Sequence, residues 1–354
     1  MRVLHVDSAA SWRGGQNQVL LTARGMAERG HDVAIACRRG GALEERARAA
    51  RLAVHGLPFR GDLSPAAALG LRRVLRSFRP AAVMLHDPHA VSAGVLAGRG
   101  GARRVAVRRV DFALRGALSR RKYGACDAVI AVSRAIAAEL ERGGLAGERI
   151  RLVYEGVPAR PPQPGGAEEL RALGVPRSAD VVGNVAALTG HKDQATLLEA
   201  AALLAPLRPE ARVLIVGEGE RRASLVAQAG RLGIADRVIF AGFRSDVDRL
   251  LPAFDVFCLT SHLEGLGTSL LDAMCFARPV VATAAGGIPE AVVDGVTGRL
   301  VPVRDARALA EALAEVLADP ERSAAMGRAG RERFLERFTA DRMVEDTLRV
   351  LEAA

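Results

Sequence analysis

A short apolar run, a turn and a stretch of helix length follow one another repeatedly along this chain, and the series is written twice with a break between. The first series opens with Val3 to Asp7, turns at Gly14-Gly15, and reads as a helix from about Gln16 to Arg29. After Gly30 it returns as a strand from Asp32 to Cys37. Apolar runs at Ala82 to Leu85, Val105 to Val107, Ala128 to Val132 and Ile150 to Tyr154 follow, with room for a helical crossover between them. Strands separated by helices pair in parallel, because a crossover long enough to hold a helix brings the chain back to the same end of the sheet. A doubly wound α/β domain is the expected result.

The break is Pro158 to Gly166, nine residues with four prolines and two glycines, which reads as a linker. Beyond it the series restarts. Strands are expected at Val181 to Val185, Arg212 to Val216, Val238 to Ala241, Val256 to Leu259 and Pro279 to Ala282. Helices are expected at about Asp193 to Leu204, Arg221 to Leu232 and Ser269 to Phe276. The tail from Asp305 reads as consecutive helices, the last beginning near Thr339 after a break at Phe338. The 354 residues therefore divide as a first Rossmann-like domain over 1–157, a linker over 158–166, a second Rossmann-like domain over 167–338, and a final helix over 339–354 that crosses back to the first. Two open α/β sheets of this kind are expected to face a common cleft with their carboxyl ends, where such sheets bind ligands.

Charge narrows the partners. Residues 1–165 carry 28 Lys and Arg against 13 Asp and Glu, a surplus of 15, whereas the remainder carries 22 against 27. The first domain is thus expected to face something anionic: an acceptor bearing phosphate, or an anionic membrane surface touched peripherally. Nucleic acid is not the expected partner, because aromatics make up 4% of the chain and stacking platforms are missing. No apolar run approaches the ~18 residues of a membrane span, and no secretory leader is read at the start. Cys37, Cys126, Cys258 and Cys275 lie far apart without a C-x-x-C pair. Buried thiols in a reducing cytoplasm are expected rather than disulfides or a zinc site.

The segment Ser261 to Met274 carries the densest chemistry. Glu264 precedes Gly265-Leu266-Gly267-Thr268, a helix start follows, and a second acid, Asp272, stands eight residues after the first. Glycines let backbone approach a ligand, and amides at a helix start favour phosphate. Carboxylates accept hydrogen bonds from sugar hydroxyls, so the combination describes a nucleotide sugar; an isolated Glu-Gly-x-Gly, however, reads more simply as a capped helix with solvated acids.

In its order of motifs the sequence resembles glycosyltransferase family 4, whose members are retaining enzymes of the GT-B fold, and the resemblance runs over essentially the whole chain. Its marker, two acids eight apart, is present as Glu264 and Asp272. Also matching are Val213 to Gly219, Asp236 to Val247, Phe254 to Val256, Gly286 to Glu290 and Asp294 to Gly298. The resemblance implies that Glu264 binds the donor sugar's hydroxyls and Asp272 the ribose. It implies that the Gly265, Leu266, Gly267 and Thr268 backbone holds sugar and diphosphate, and that Lys192, beside His191, neutralises the diphosphate leaving group. Gly242, Phe243 and Arg244 would form the base-binding region. In the first domain it sets Gly14 and Gly15 between acceptor and donor phosphates, and makes His86 the histidine near the reacting centre. Arg108, Arg109 and Asp111 are candidates for meeting acceptor or phosphate.

Two positions depart from the family pattern. The second acid is Asp272 instead of Glu, one methylene shorter, and the usual Arg five residues before the lysine is Ala187. Leaving-group stabilisation then rests on Lys192, the glycine-loop amides, and either His191 or Arg109. The expected activity is transfer of a sugar, with retention, from a nucleoside diphosphate sugar to a hydroxyl acceptor such as a lipid-linked or lipopolysaccharide-core saccharide, at the inner face of the membrane. No cofactor or metal is expected, since no D-x-D run lies at a strand end. A nucleotide-sugar epimerase or a phosphorylase on the same fold is the alternative, and a non-enzymatic nucleic-acid binder the remote one.

Overall fold

The computed structural model describes residues 1–61, 64–110, 112, 114 and 116–353. It consists of two compact units, Met1–Pro158 with Thr339–Ala354, and Ala159–Phe338. Each is built on one parallel sheet.

The first unit holds seven strands: β1 (Arg2–Asp7), β2 (Asp32–Arg38), β3 (Ala53–Leu57), β4 (Ala82–Leu85), β5 (Arg103–Arg108), β6 (Ala128–Ala131) and β7 (Ile150–Leu152). Their order is β3-β2-β1-β4-β5-β6-β7. The chain winds outward from β1 to β3, crosses back to β4, and then winds the other way. The carboxyl ends of β1 and β4 therefore lie at a topological switch point, where crossovers leave in opposite directions and open a crevice. Val3, Leu4, Val6, Leu85, Val105 and Ala106 are fully buried, as strands covered on both faces must be. Residues 39–81 hold β3 and the helices Ala42–Ala49 and Pro65–Phe78, beyond the elements expected from apolar runs. At the sheet edge β3 is mostly half-buried, so His55 and Gly56 interrupt its apolar pattern without penalty. The helix after the glycine turn begins at Gly14 itself, not at Gln16.

The last helix, Ala340–Glu352, belongs to this first unit. Thr339 caps it and accepts from the Arg342 amide at 3.2 Å. Its buried face includes Met343, Val344, Thr347 and Leu348. Gly25, on helix Gly14–Glu28, admits the close approach, since a Cβ there would stand 2.6 Å from a Val344 methyl. The Ala340 amide donates to the Val157 carbonyl at 2.9 Å, which seats the returning segment beside the departing one.

The second unit holds β8 (Val181–Val185), β9 (Arg212–Val216), β10 (Val238–Gly242), β11 (Val256–Leu259), β12 (Val280–Thr283) and β13 (Gly298–Val301) in the order β10-β9-β8-β11-β12-β13. Its switch point lies between β8 and β11. Gly183 of β8 has no side chain because the ring of fully buried Phe254 fills that space; burying such a ring contributes about 2–3 kcal/mol. The proline-rich stretch ends where the helix Gly166–Ala172 begins, and residues from Ala159 onward go with this unit.

Candidate functional site

In the second unit the loops leaving β8 and β11 are laced together at the switch point. The His262 amide donates to the His191 carbonyl at 3.0 Å, and Thr260 Oγ1 to the Lys192 carbonyl at 3.0 Å. These bonds bring Lys192 Nζ onto Glu264 Oε2 as an ion pair, and Ser261 Oγ donates to the same carboxylate oxygen at 2.9 Å. The two side chains keep 19% and 12% of their surface accessible, so a ligand can reach and replace the pair. Gly286, at φ +50°, lies directly on the Glu264 carbonyl, where a Cβ would overlap it, and the Gly287 amide donates to that carbonyl at 3.1 Å. The β12 loop thereby fixes the Glu264 backbone.

Gly267, at φ +92°, precedes the helix Thr268–Cys275, whose first amides no side chain caps. Unpaired amides at a helix start leave donors and partial positive charge for an anion. Phe243, after β10, is 65% exposed, while Arg244 is tied to Asp246 at 2.8 Å and to Glu169 at 2.7 Å. His191 Nδ1 lies 3.2 Å from Thr189 Oγ1. Asp272 is joined to Arg160, whose Nη2 stands 2.7 Å from Asp272 Oδ1 and 2.6 Å from Asp248 Oδ1. Gln194 donates to the carbonyl of Ala187 at 3.1 Å.

The first unit places a different set at its own switch point. His5 Nδ1 lies 2.9 Å from His86 Nε2, His86 Nδ1 lies 3.1 Å from Arg109 Nη1, and Arg109 Nε donates to Glu155 Oε1 at 2.8 Å. Arginine only donates, so His86 Nδ1 accepts, its proton sits on Nε2, and His5 accepts that proton at Nδ1. Both ring nitrogens of His86 are engaged, and one bond must break before the ring meets a hydroxyl. Burial, with Arg109 beside it, pulls His5 down to about 3 and holds His86 well below the ordinary histidine range, so both rings are neutral. Asp7 is pushed up to about 6 by burial and by the neighbouring Asp87. Asp87 caps helix Pro88–Ala97 and accepts from both the amide and the hydroxyl of Ser8 at 2.7 Å. Gly15 lies against Arg109, whose Cδ is 4.0 Å from where a Cβ would stand. Arg108 turns inward, bonded to Tyr123 at 3.4 Å and to the Phe112 carbonyl. Asp111 lies outside the described residues.

His5, Glu155 and Arg160 escape sequence reasoning, and Ser261 enters it only as the first residue of its segment, without a role. Each is tied to a residue that reasoning does find, and for Glu155 and Arg160 the partner is 46 and 112 residues away. All four cysteines are buried, and burial pushes the thiols up, Cys37 and Cys258 to about 12. Among the described residues, no group of His, Cys, Asp and Glu is arranged to hold a metal, and no helix is long and apolar enough to cross a membrane.

Comparison with known proteins decides the family. Residues 167–333 match the glycosyl transferases group 1 family and residues 12–160 match glycosyltransferase family 4. The chain belongs to these glycosyltransferases. Over 181 residues it is 40% identical to a D-inositol 3-phosphate glycosyltransferase of Mycolicibacterium gilvum, covering 49% of this chain and 40% of the relative. It is 32% identical to the lipopolysaccharide core biosynthesis glycosyltransferase LpsE of Rhizobium meliloti over 51% of this chain and 52% of the relative. The chain thus spans about half or less of the length of these curated relatives. Among solved structures, Anabaena HepE in complex with UDP and glucose superimposes with a TM-score of 0.88 at 22% identity, over 100% of both chains. At that identity the likeness concerns the fold, which is GT-B, two Rossmann-like parallel-sheet domains.

Proposed function

We propose that this glycosyltransferase moves a sugar from a nucleoside diphosphate sugar to a hydroxyl acceptor with retention of the anomeric configuration. One observation carries the reading: the partly accessible Lys192–Glu264 pair at the second switch point, beside an uncapped helix start. In the free protein each charge satisfies the other. On donor binding Lys192 turns to the diphosphate, Glu264 accepts from sugar hydroxyls, and the amides from Gly265 to Thr268 hold the phosphates. Stabilising charge that develops on the leaving group, by groups already fixed in place, is the largest contribution expected in such chemistry. Asp272 takes the ribose, Gly242 to Arg244 the base, and His191 stands beside the lysine.

The first unit holds the acceptor. Arg109, braced by Glu155 and His86, supplies the cation beside Gly14 and Gly15, and His86 acts through that arginine. The basic surplus of residues 1–165 supports an anionic acceptor, a glycan or glycolipid of the cell envelope, and peripheral contact with an anionic membrane from the cytoplasmic side. The names of the relatives, one for a phosphorylated inositol and one for lipopolysaccharide core, support the same class. Binding to anionic but not neutral vesicles, lost at high salt, is the expected outcome for the membrane; equal binding to both kinds would end that part of the proposal.

The test of the donor site is thermal unfolding in the presence of UDP, GDP, ADP and CMP separately. A ligand at ~100 times its dissociation constant stabilises the folded protein by about 2.7 kcal/mol. One nucleoside diphosphate is expected to raise Tm, and no shift with any of the four would overturn the reading.

A further inference from the structure

Arg160 leaves the proline-rich stretch and enters the second unit as a clamp. Its Nη2 bridges two carboxylates, Asp272 Oδ1 at 2.7 Å and Asp248 Oδ1 at 2.6 Å. Its guanidinium lies 5.7 Å from the Phe276 ring centroid, and its carbonyl accepts from Cys275 Sγ at 3.7 Å. Asp272 Oδ2 takes no hydrogen bond among the described residues. We propose that Arg160 is a positioning residue for donor binding: it orients the short Asp272 carboxylate by holding Oδ1 and favours its ionised form, which leaves Oδ2 to accept from a ribose hydroxyl. This rests on the donor-site reading above.

The chemistry follows from the surroundings. Helix Thr268–Cys275 is buried on most sides, and Asp248 stands beside Asp272 with the same sign of charge. Both effects favour the protonated acid, which cannot accept two hydroxyl hydrogen bonds as a carboxylate can. Burial pushes Asp272 up to about 7 even with Arg160 pulling the other way. Other charged or titratable groups against this helix are bonded to backbone carbonyls. Arg331, from helix Pro320–Arg337, donates to the Cys275 carbonyl at 3.0 Å. Arg278 donates to the Phe276 and Phe254 carbonyls at 3.2 Å, and the Cys275 thiol donates to Arg160. Arg160 is thus the cation that opposes burial at Asp272, and it offsets the missing methylene by fixing where the carboxylate sits.

The experiment titrates UDP, GDP and ADP, each carrying the ribose, into wild type, Arg160→Gln, Arg160→Lys and Asp272→Asn at pH 6.5 and 8.5. For the nucleotide that binds, Arg160→Gln is expected to weaken binding relative to wild type by about tenfold at pH 6.5 and by less than about threefold at pH 8.5, since one unit of pKa displacement is a tenfold change in the ionised fraction. Arg160→Lys, which keeps a positive charge, is expected to stay near wild type at both. Asp272→Asn, with no acid to ionise, is expected to be weak to the same degree at both. An Arg160→Gln defect equal at the two pH values, or no defect, overturns the inference while leaving the donor site standing. Wild type that binds none of the three nucleotides overturns the donor-site reading and this inference with it.

Discussion

The two switch points of this molecule are built from the same topology and hold charge in opposite ways. In the first unit the polar groups are locked inward: His5, His86, Arg109 and Glu155 form one chain of hydrogen bonds, and Asp87 takes bonds from Ser8, His89 and Ala90. In the second unit the central feature is a lysine and a carboxylate that neutralise each other beside open helix amides. A buried network is costly to disturb, because removing one member leaves its neighbours unsatisfied. An ion pair whose lysine is a flexible point charge, held by that one carboxylate and still partly accessible, is easier to exchange for a ligand. The first arrangement suits a rigid platform that fixes one cation; the second suits a site whose charges change partners during a reaction.

The largest effect that tests this contrast is on activity. Glu264→Ala is expected to lower sugar transfer by at least ~10²-fold, the scale of losing one preorganised polar contact to the reacting group. The melting temperature should change little, because the freed Lys192 can turn to water. Kinetics and thermal unfolding on the same preparation decide it: normal turnover removes Glu264 from the site, and a collapse in stability would make the pair structural.

Glu155→Ala should show the reverse. Arg109 and Glu155 expose 13% and 9% of their side chains, and Arg109 is also held by His86, so it cannot swing out. Leaving a buried charge without its partner costs about 3 kcal/mol. Urea unfolding is expected to report that loss, whereas Glu155→Gln, whose amide oxygen still accepts from Arg109, should lose distinctly less. Equal stability of wild type and Glu155→Ala would mean that the first switch point is no stiffer than the second.

Much of this arrangement was legible in the sequence, and what was not has a physical reason. Strands such as Val181–Val185, Arg212–Val216 and Val256–Leu259 stand where their apolar runs predict, because parallel strands covered on both faces need continuous apolar residues. The edge strand Ala53–Leu57 escaped because partial burial relaxes that requirement. Lys192 and Glu264 were found one at a time by motif, but nothing in a linear pattern tells that they touch across 72 residues. The engagement of both His86 nitrogens is of the same kind. It depends on His5, which sits inside an apolar strand and reads as an isolated polar intrusion.

Acid stability sharpens the contrast further. His5 ionises near 6.5 when unfolded and near 3 when folded, so the unfolded chain binds more protons between those values. Folding stability attributable to His5 is therefore full above about pH 6.5 and falls as the pH drops, by about 2–3 kcal/mol at pH 4.5. Asp7, held up at about 6, acts with the opposite sign between roughly pH 4 and 6, because its folded form retains the proton that the unfolded chain has lost. The two partly cancel in wild type. His5→Asn keeps an oxygen that accepts from His86 and removes one of the opposing contributions. The difference in unfolding free energy between variant and wild type is expected to move in favour of His5→Asn as the pH falls from 6.5 to 4.5. A difference that stays constant would mean that His5 titrates in the folded state as it does in water.

The smallest expected effect concerns the position where the resemblance expects arginine and this chain has Ala187. The residue is half-buried in the loop that runs from β8 to Lys192, and its carbonyl is held by Gln194. A cation placed there would join Lys192 in facing the diphosphate without entering the core. The added charge sits in a partly screened setting, so its gain is about 1 kcal/mol, less than tenfold in rate. Ala187→Arg is expected to raise kcat by a few-fold at saturating donor, and the gain should vanish in Lys192→Ala if one diphosphate position serves both cations. An unchanged or lowered kcat in Ala187→Arg would mean that the second switch point, like the first, is already complete in its charges, and that the exchange of partners proposed for Lys192 needs no help from this loop.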